Sequence, residues 1–193
     1  GVDEKDIVDE INENPEKIIV FNHRPDTYKH FKEFVTVCDE LYDMRQDFKV
    51  WVPLLPNPTR KYMVTTKGNK EWYYKELQKC YVGFSPKQSY GGWSVSTTDG
   101  MMNGVPYIMY DDTYYHELNE MGDFFEDDYT ALQLLNTYLD DPEYRNEEAS
   151  KALDWMRNKL VYKDKMLEML FYMDRLVIET RAVKDTDRFK DIV

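Results

Sequence analysis

The stretch Phe84–Pro106, FSPKQSYGGWSVSTTDGMMNGVP, decides the fold. An apolar strand end at Phe84 gives way to Ser85-Pro86, and Gly91-Gly92 marks a turn. A helix of small residues is predicted from Ser94 to Asn103, closed by Gly104, with Pro106 opening the next strand. A glycine-rich loop that opens a helix offers unpaired backbone N–H groups and the positive end of a helix dipole to an anion. Asp99 lies one to two turns into this helix, placed to accept hydrogen bonds from hydroxyls beyond that anion. It is the sole acid in a helix with almost no other charge, which favours a role over a surface position.

Strand and helix patterns alternate on both sides of this segment. Lys17–Phe21 (KIIVF), Phe48–Val52 (FKVWV), Tyr62–Val64, Tyr81–Phe84, Pro106–Tyr110 and Phe124–Phe125 read as short strands. Apolar residues at helical spacing predict a helix over Tyr28–Tyr42, and Asn69 is placed to cap a helix through Lys79. From Asp127 onward the pattern is helical, over Tyr129–Leu139, Glu143–Leu160 and Lys163 to about Arg181. Strands separated by helices of this length imply βαβ units, so the expected class is α/β: a doubly wound parallel sheet with a helical carboxyl-terminal extension. The segment from Gly1 to the first strand is acidic and has no strand of its own. Together with the alternating Val177–Val193 tail it suggests a domain of a longer protein, 1–165, followed by a tail, 166–193, that docks elsewhere.

The net charge of −12, from 37 acids and 25 bases, disfavours non-specific binding to nucleic acid or membrane surfaces. Cys38 and Cys80 both stand in apolar surroundings and read as free buried thiols of a reducing compartment, which suggests a cytoplasmic location. No run approaches the ~20 apolar residues of a membrane helix, and GVDEKDIVDE is no signal peptide. The Tyr-, Met- and acid-rich, glycine-poor composition gives the impression of a viral or low-GC source.

Ligands of open parallel sheets bind beyond the carboxyl ends of the strands. Three such ends carry chemistry here: Asn22-His23-Arg24 with Lys29, Tyr90–Ser94, and Asp111-Asp112-Thr113. Arg24 and Lys29 would converge on one edge, where two cations can neutralise a diphosphate.

These residues, in this order, resemble the donor-binding carboxyl-terminal domain of retaining GT-B glycosyltransferases, the group 1 or family 4 type, whose fold is Rossmann-like. Gly1-Val2-Asp3 resembles the linker that opens that domain. Arg24 and Lys29 match its Arg…Lys pair, and Tyr90–Pro106 its Glu-Gly-Phe-Gly…Glu-Ala-Met-Ala…Gly-x-Pro motif. Gly92-Trp93-Ser94 falls on the Gly-Phe-Gly turn and Asp99 on the second glutamate. His116-Glu117-Leu118 resembles the Pro-Glu-Leu segment, and the run ending Asp140-Asp141-Pro142 resembles the helix and turn that follow.

The resemblance implies transfer of a sugar from a nucleotide-diphosphate donor, most simply a UDP- or GDP-sugar, with retention and without a metal or other cofactor. It implies that Arg24, Lys29 and the backbone around Gly92, Trp93, Ser94 and Val95 hold the diphosphate. Asp99 would hold the ribose, Thr66, Lys67 and Gly68 would face the base, and Tyr90 and Gly91 would face the sugar. The acceptor site and the catalytic residue nearest it would lie in an amino-terminal domain, so this half alone would be nearly inactive. The chain departs from the motif where Gly91 replaces the first glutamate, where the shorter Asp99 replaces the second, and where Ser94 replaces glycine.

Blander readings stand beside these. Without a nucleotide, the same sheet would serve as a non-catalytic interaction or regulatory domain. Such a domain of the response-regulator kind needs acids after the first strand, where Asn22-His23-Arg24 stands. His116 with Glu117 reads as a surface or helix-end pair. The acids Asp123, Glu126, Asp127 and Asp128 read as a solvated helix entrance, and Met166, Met169 and Met173 as a packing or docking face.

Overall fold

Six parallel strands in the order β3-β2-β1-β4-β5-β6 form the centre of the molecule. The structure is a computed structural model and describes residues 2–89, 92 and 94–188, with the backbone alone for 179–188. The strands are β1 (Ile18–Val20), β2 (Lys49–Trp51), β3 (Met63–Val64), β4 (Val82–Ser85), β5 (Tyr107–Tyr110) and β6 (Asp123–Phe125). The helices are α1 (Phe31–Met44), α2 (Lys70–Leu77), α3 (Val95–Met101), α4 (Thr113–Leu118), α5 (Asp128–Asp140), α6 (Pro142–Lys159) and α7 (Tyr162–Arg188).

Both faces of the sheet are covered, and the two-residue alternation of a strand sorts side chains between two cores. Ile19, Phe21, Val50, Val52, Val82, Phe84 and Ile108 pack with Phe34, Val37 and Leu41 of α1 and Leu132, Leu135 and Leu139 of α5. Val20, Trp51, Tyr107 and Met109 face the other way, onto Leu77 of α2, Met101 of α3, Tyr115 and Leu118 of α4, and Met156 of α6. On that second face Gly83 leaves a slot: a Cβ there would sit 2.2 Å from the Tyr107 ring.

Two elements depart from the sequence reading. The predicted Tyr28–Tyr42 helix is interrupted: Thr27–Lys29 is a 3-10 turn and His30 takes the left-handed conformation, φ 49°, before α1 begins at Phe31. The Asp26 side chain accepts the Lys29 N–H and caps that turn instead of letting the helix start earlier. The unpredicted α4 is capped by Asp112, whose side chain accepts the Tyr114 N–H. Asn69 caps α2 as expected, accepting the Trp72 N–H at 2.8 Å.

The acidic amino-terminal segment is strapped to the domain. Val2 bridges Val161, and the Val8 N–H donates to the Met102 carbonyl. Arg145 and Arg157 donate to the Asn12 and Val8 carbonyls at 2.8 and 2.7 Å. Arg145 is buried, and its guanidinium also meets the carbonyls of Tyr81, Cys80 and Gly104. Cys38 and Cys80 are buried free thiols, as read from the sequence. No helix among the described residues is long and apolar enough to cross a membrane.

Candidate functional site

Strand order reverses between β1 and β4, and the crevice beyond their carboxyl ends is where a doubly wound sheet takes a ligand. A cavity of ≈ 570 Å³ opens beside it. Thr66, Lys67 and Gly68, in the loop after β3, form one wall with Trp72 and Tyr73 of α2. Asn22, after β1, and Ser96 and Asp99 of α3 form the other. Gly68 lies flat on the Trp72 indole, where an added Cβ would sit 2.4 Å from the ring. Trp51 meets Trp72 edge-on, with ring centroids 6.1 Å apart.

The polar floor of the cavity is pre-organised. The Asn22 amide donates to the Tyr73 hydroxyl (2.8 Å) and to the Ser96 carbonyl (2.7 Å), and its oxygen accepts from the Tyr107 hydroxyl (3.1 Å). An amide with all three bonds made has a single orientation. Tyr107 reaches it through a slot between Gly83 and Gly100, whose Cβ atoms, if added, would lie 2.2 and 2.1 Å from its side chain. Ser85 and Thr97 share a buried hydrogen bond of 2.6 Å that fixes α3 to β4.

Asp99 is half-buried, and burial pushes its carboxyl up to about 6, against the pull of Lys70 and of the Tyr73 and Tyr74 hydroxyls. Lys70 itself lies over the Tyr74 ring at 5.0 Å and pairs with Asp6 at 3.6 Å.

Arg24 and Lys29 do not line this cavity; they stand on the β1–α1 connection beside it. Arg24 is exposed and Lys29 partly buried. Burial, then the Arg24 charge, lower the Lys29 ammonium from its usual range, while Asp26 opposes them. The adjacent His23 is 2% exposed, and among the described residues neither ring nitrogen has a hydrogen-bond partner of good geometry, the Phe84 backbone serving as a poorer one. Burial, aided by Lys29, pushes it down to about 3, so the ring is neutral at physiological pH.

Across the crevice, Gly92 takes φ 79°, a left-handed conformation natural to glycine. Ser94 caps α3, its hydroxyl accepting the Ser96 N–H at 3.3 Å, and the Val95 side chain is 67% exposed. Tyr90, Gly91 and Trp93 lie outside the described residues.

The structure thus brings Thr66, Lys67, Gly68 and Asp99 to one cavity, with the cation pair on the neighbouring connection. Reading of the sequence missed Trp72, Tyr73 and Ser96 as lining, and Gln88 as the partner of Lys29. An aromatic pair one turn into the Asn69-capped helix was an available signal for the first two. Ser96 gave no signal in the sequence, since its tie to the site is a backbone carbonyl that accepts from Asn22. Elsewhere, the His116–Asp111 pair (2.7 Å) is exposed and stacks on Phe124 at 3.8 Å, as a surface pair does. Asp127 is the N-cap of α5 in a reciprocal box with Thr130. Among the described residues no three acids, histidines or cysteines are grouped to hold a metal.

No family model and no curated protein matches the chain. Solved structures do. The C-terminal domain of a glycosyl transferase group 1 family protein (LpcC) from Francisella tularensis matches with a TM-score of 0.67 at 14% identity, over 84% of this chain and 100% of that one. A point mutant of S. aureus TarM, in complex with fondaparinux, α-GlcNAc-glycerol and UDP, matches with a TM-score of 0.69 at 15% identity, over 85% of this chain. An α,α-trehalose-phosphate synthase (UDP-forming) from Burkholderia vietnamiensis matches with a TM-score of 0.63 at 12% identity, over 84% of this chain. The chain spans 36% of the TarM chain and 46% of the synthase. Its fold is the one these structures share, that of the C-terminal, Rossmann-like domain of GT-B glycosyltransferases.

Proposed function

We propose that this chain is the donor-binding half of a retaining glycosyltransferase, holding a nucleotide-diphosphate sugar at the carboxyl edge of its sheet. The observation that carries the reading is the single cavity lined by the Thr66–Gly68 loop and Asp99, next to the Arg24/Lys29 connection. The base lies against the loop and Trp72, and the ribose hydroxyls bond to Asp99. The diphosphate is neutralised by Arg24, Lys29 and the N–H groups that open α3. Charge building on the leaving diphosphate is where preorganised cations lower the barrier. TarM, of like fold, was solved with UDP, which favours a UDP-sugar donor. The apolar side chains that α7 exposes fit contact with an acceptor-binding domain.

Calorimetry with UDP, GDP and ADP tests this. One of the three binds below millimolar, and Arg24→Ala and Asp99→Ala each weaken it about tenfold. No binding at millimolar ligand, or no effect of Arg24→Ala, overturns the reading.

A further inference from the structure

Lys29 is held at its tip as well as at its backbone. Its Nζ donates to Gln88 Oε1, on the loop after β4. Gln88 is 8% exposed, and both its amide protons are committed: Nε2 donates to the Pro86 carbonyl (2.9 Å) and to the Tyr115 hydroxyl (2.7 Å). The Tyr115 hydroxyl, fully buried under the loop, donates in turn to the Pro86 carbonyl at 2.9 Å. Turning the amide over would break both bonds and set its NH₂ against an ammonium, so Oε1 has one direction to face. A neighbouring pair of contacts ties the same two loops together: the His30 ring meets the Ser89 hydroxyl, which donates to the Tyr28 carbonyl, each at 3.3 Å.

The chemistry of the tether matters. A carboxylate at this position would hold Lys29 and cancel its charge. An amide holds it and leaves the charge whole for an incoming anion. We infer that Gln88, locked by Tyr115, is a positioning residue that fixes the Lys29 ammonium for the donor diphosphate without neutralising it. The inference rests on the proposed role of Lys29 at the diphosphate. It also gives the Tyr115–Gln88 network under the β4 loop a purpose beyond filling space.

A double-mutant cycle on the full chain tests it, with UDP and uridine as probes. Gln88→Met, of similar length but unable to accept, lowers UDP affinity about fivefold and leaves uridine binding unchanged. In the Lys29→Met background the same change has no further effect. Gln88→Glu keeps the melting temperature at or above the parent's through a Glu–Lys pair, yet binds UDP more weakly than Gln88→Met does. A loss of the same size in both backgrounds, or an equal loss for uridine, means that Gln88 only packs the loop, and the inference fails. If Lys29→Met itself leaves UDP binding unchanged, the reading of Lys29 as a diphosphate contact fails first and the inference goes with it.

Discussion

Under the proposed function, Asp99 would do two things that pull against each other. A half-buried carboxylate is costly to charge, and its value of about 6 records that cost. As an acceptor for ribose hydroxyls, the charged form is the stronger one. The folded chain therefore holds an extra proton on Asp99 between 3.8 and about 6, and the unfolded chain does not. Stability from this group is full below 3.8 and is lost as pH rises through 6. Relative to the parent, Asp99→Asn should gain stability between pH 4 and pH 7, by on the order of 1 kcal/mol once partial exposure is discounted. Nucleotide affinity should move the opposite way, rising in the parent as pH passes 6. The terminal phosphate of a nucleoside diphosphate titrates in the same range, with a second pKa of about 6. The quantity to measure is therefore the difference between parent and Asp99→Asn, by calorimetry at several pH values, alongside chemical denaturation. A flat stability difference from pH 4 to pH 7 would remove the conflict, and with it the claim that Asp99 is strained by its burial.

At the scale of elements, α3 shows how one short helix carries two demands. Its small residues suggested in the sequence a site for an anion and a hydroxyl, the use proposed for them above. Their second use was not. Gly100 is small because Tyr107 of β5 passes between it and Gly83 of β4 to reach Asn22. In an exposed helix, Gly→Ala gains ~1 kcal/mol from propensity. Here the new methyl would lie 2.1 Å from the Tyr107 side chain, and overpacking costs ~1–3 kcal/mol, so the clash wins. Gly100→Ala should lower the unfolding free energy by about 1 kcal/mol or more. Combined with Tyr107→Leu, which vacates the end of the slot, it should cost less than the two changes summed. Additive costs would mean that the slot is not tight. The strands and most helices were readable because apolar spacing reports which face is buried. The break before α1 was not, since Phe31, Phe34 and Cys38 keep their period while the turn is set by Asp26 accepting a single N–H. Position on the sheet edge was readable for Arg24, Lys29 and Asp99, because each follows a strand. Gln88 was not, because it works through a tertiary bond to a lysine 59 residues away.

Two cores and a strap hold the described residues; α7 meets the strap at its start, where the Tyr162 N–H donates to the Val2 carbonyl, and none of its described side chains belongs to either core. The opening segment reads in the sequence as acidic and without a strand of its own; what ties it down is Arg145 and Arg157, which reach from across the domain to donate to its Asn12 and Val8 carbonyls. No periodicity announces such contacts. Among the described residues Arg145 meets four carbonyls and no carboxylate, and burial lowers its guanidinium to about 10. Breaking a buried charged donor of this kind is strongly destabilising, so the strap is tied to the core that α6 completes. Val161 closes this unit through its bridge to Val2. Beyond it the balance changes: Leu167, Met169, Leu170, Phe171, Tyr172 and Met173 are all at least half exposed. Side chains that bury little add little to stability. Ending the chain after Met166 should therefore shift the unfolding free energy by no more than about 0.5 kcal/mol. UDP affinity should stay unchanged, since no described residue of α7 lines the cavity. The shortened chain should also resist aggregation better, because an apolar patch of this kind is a liability when it faces water. Differential scanning calorimetry and light scattering on the two lengths decide the matter. A fall of many degrees in melting temperature would show that α7 packs on the domain in solution, and its apolar side chains would then be core and not a surface for another domain.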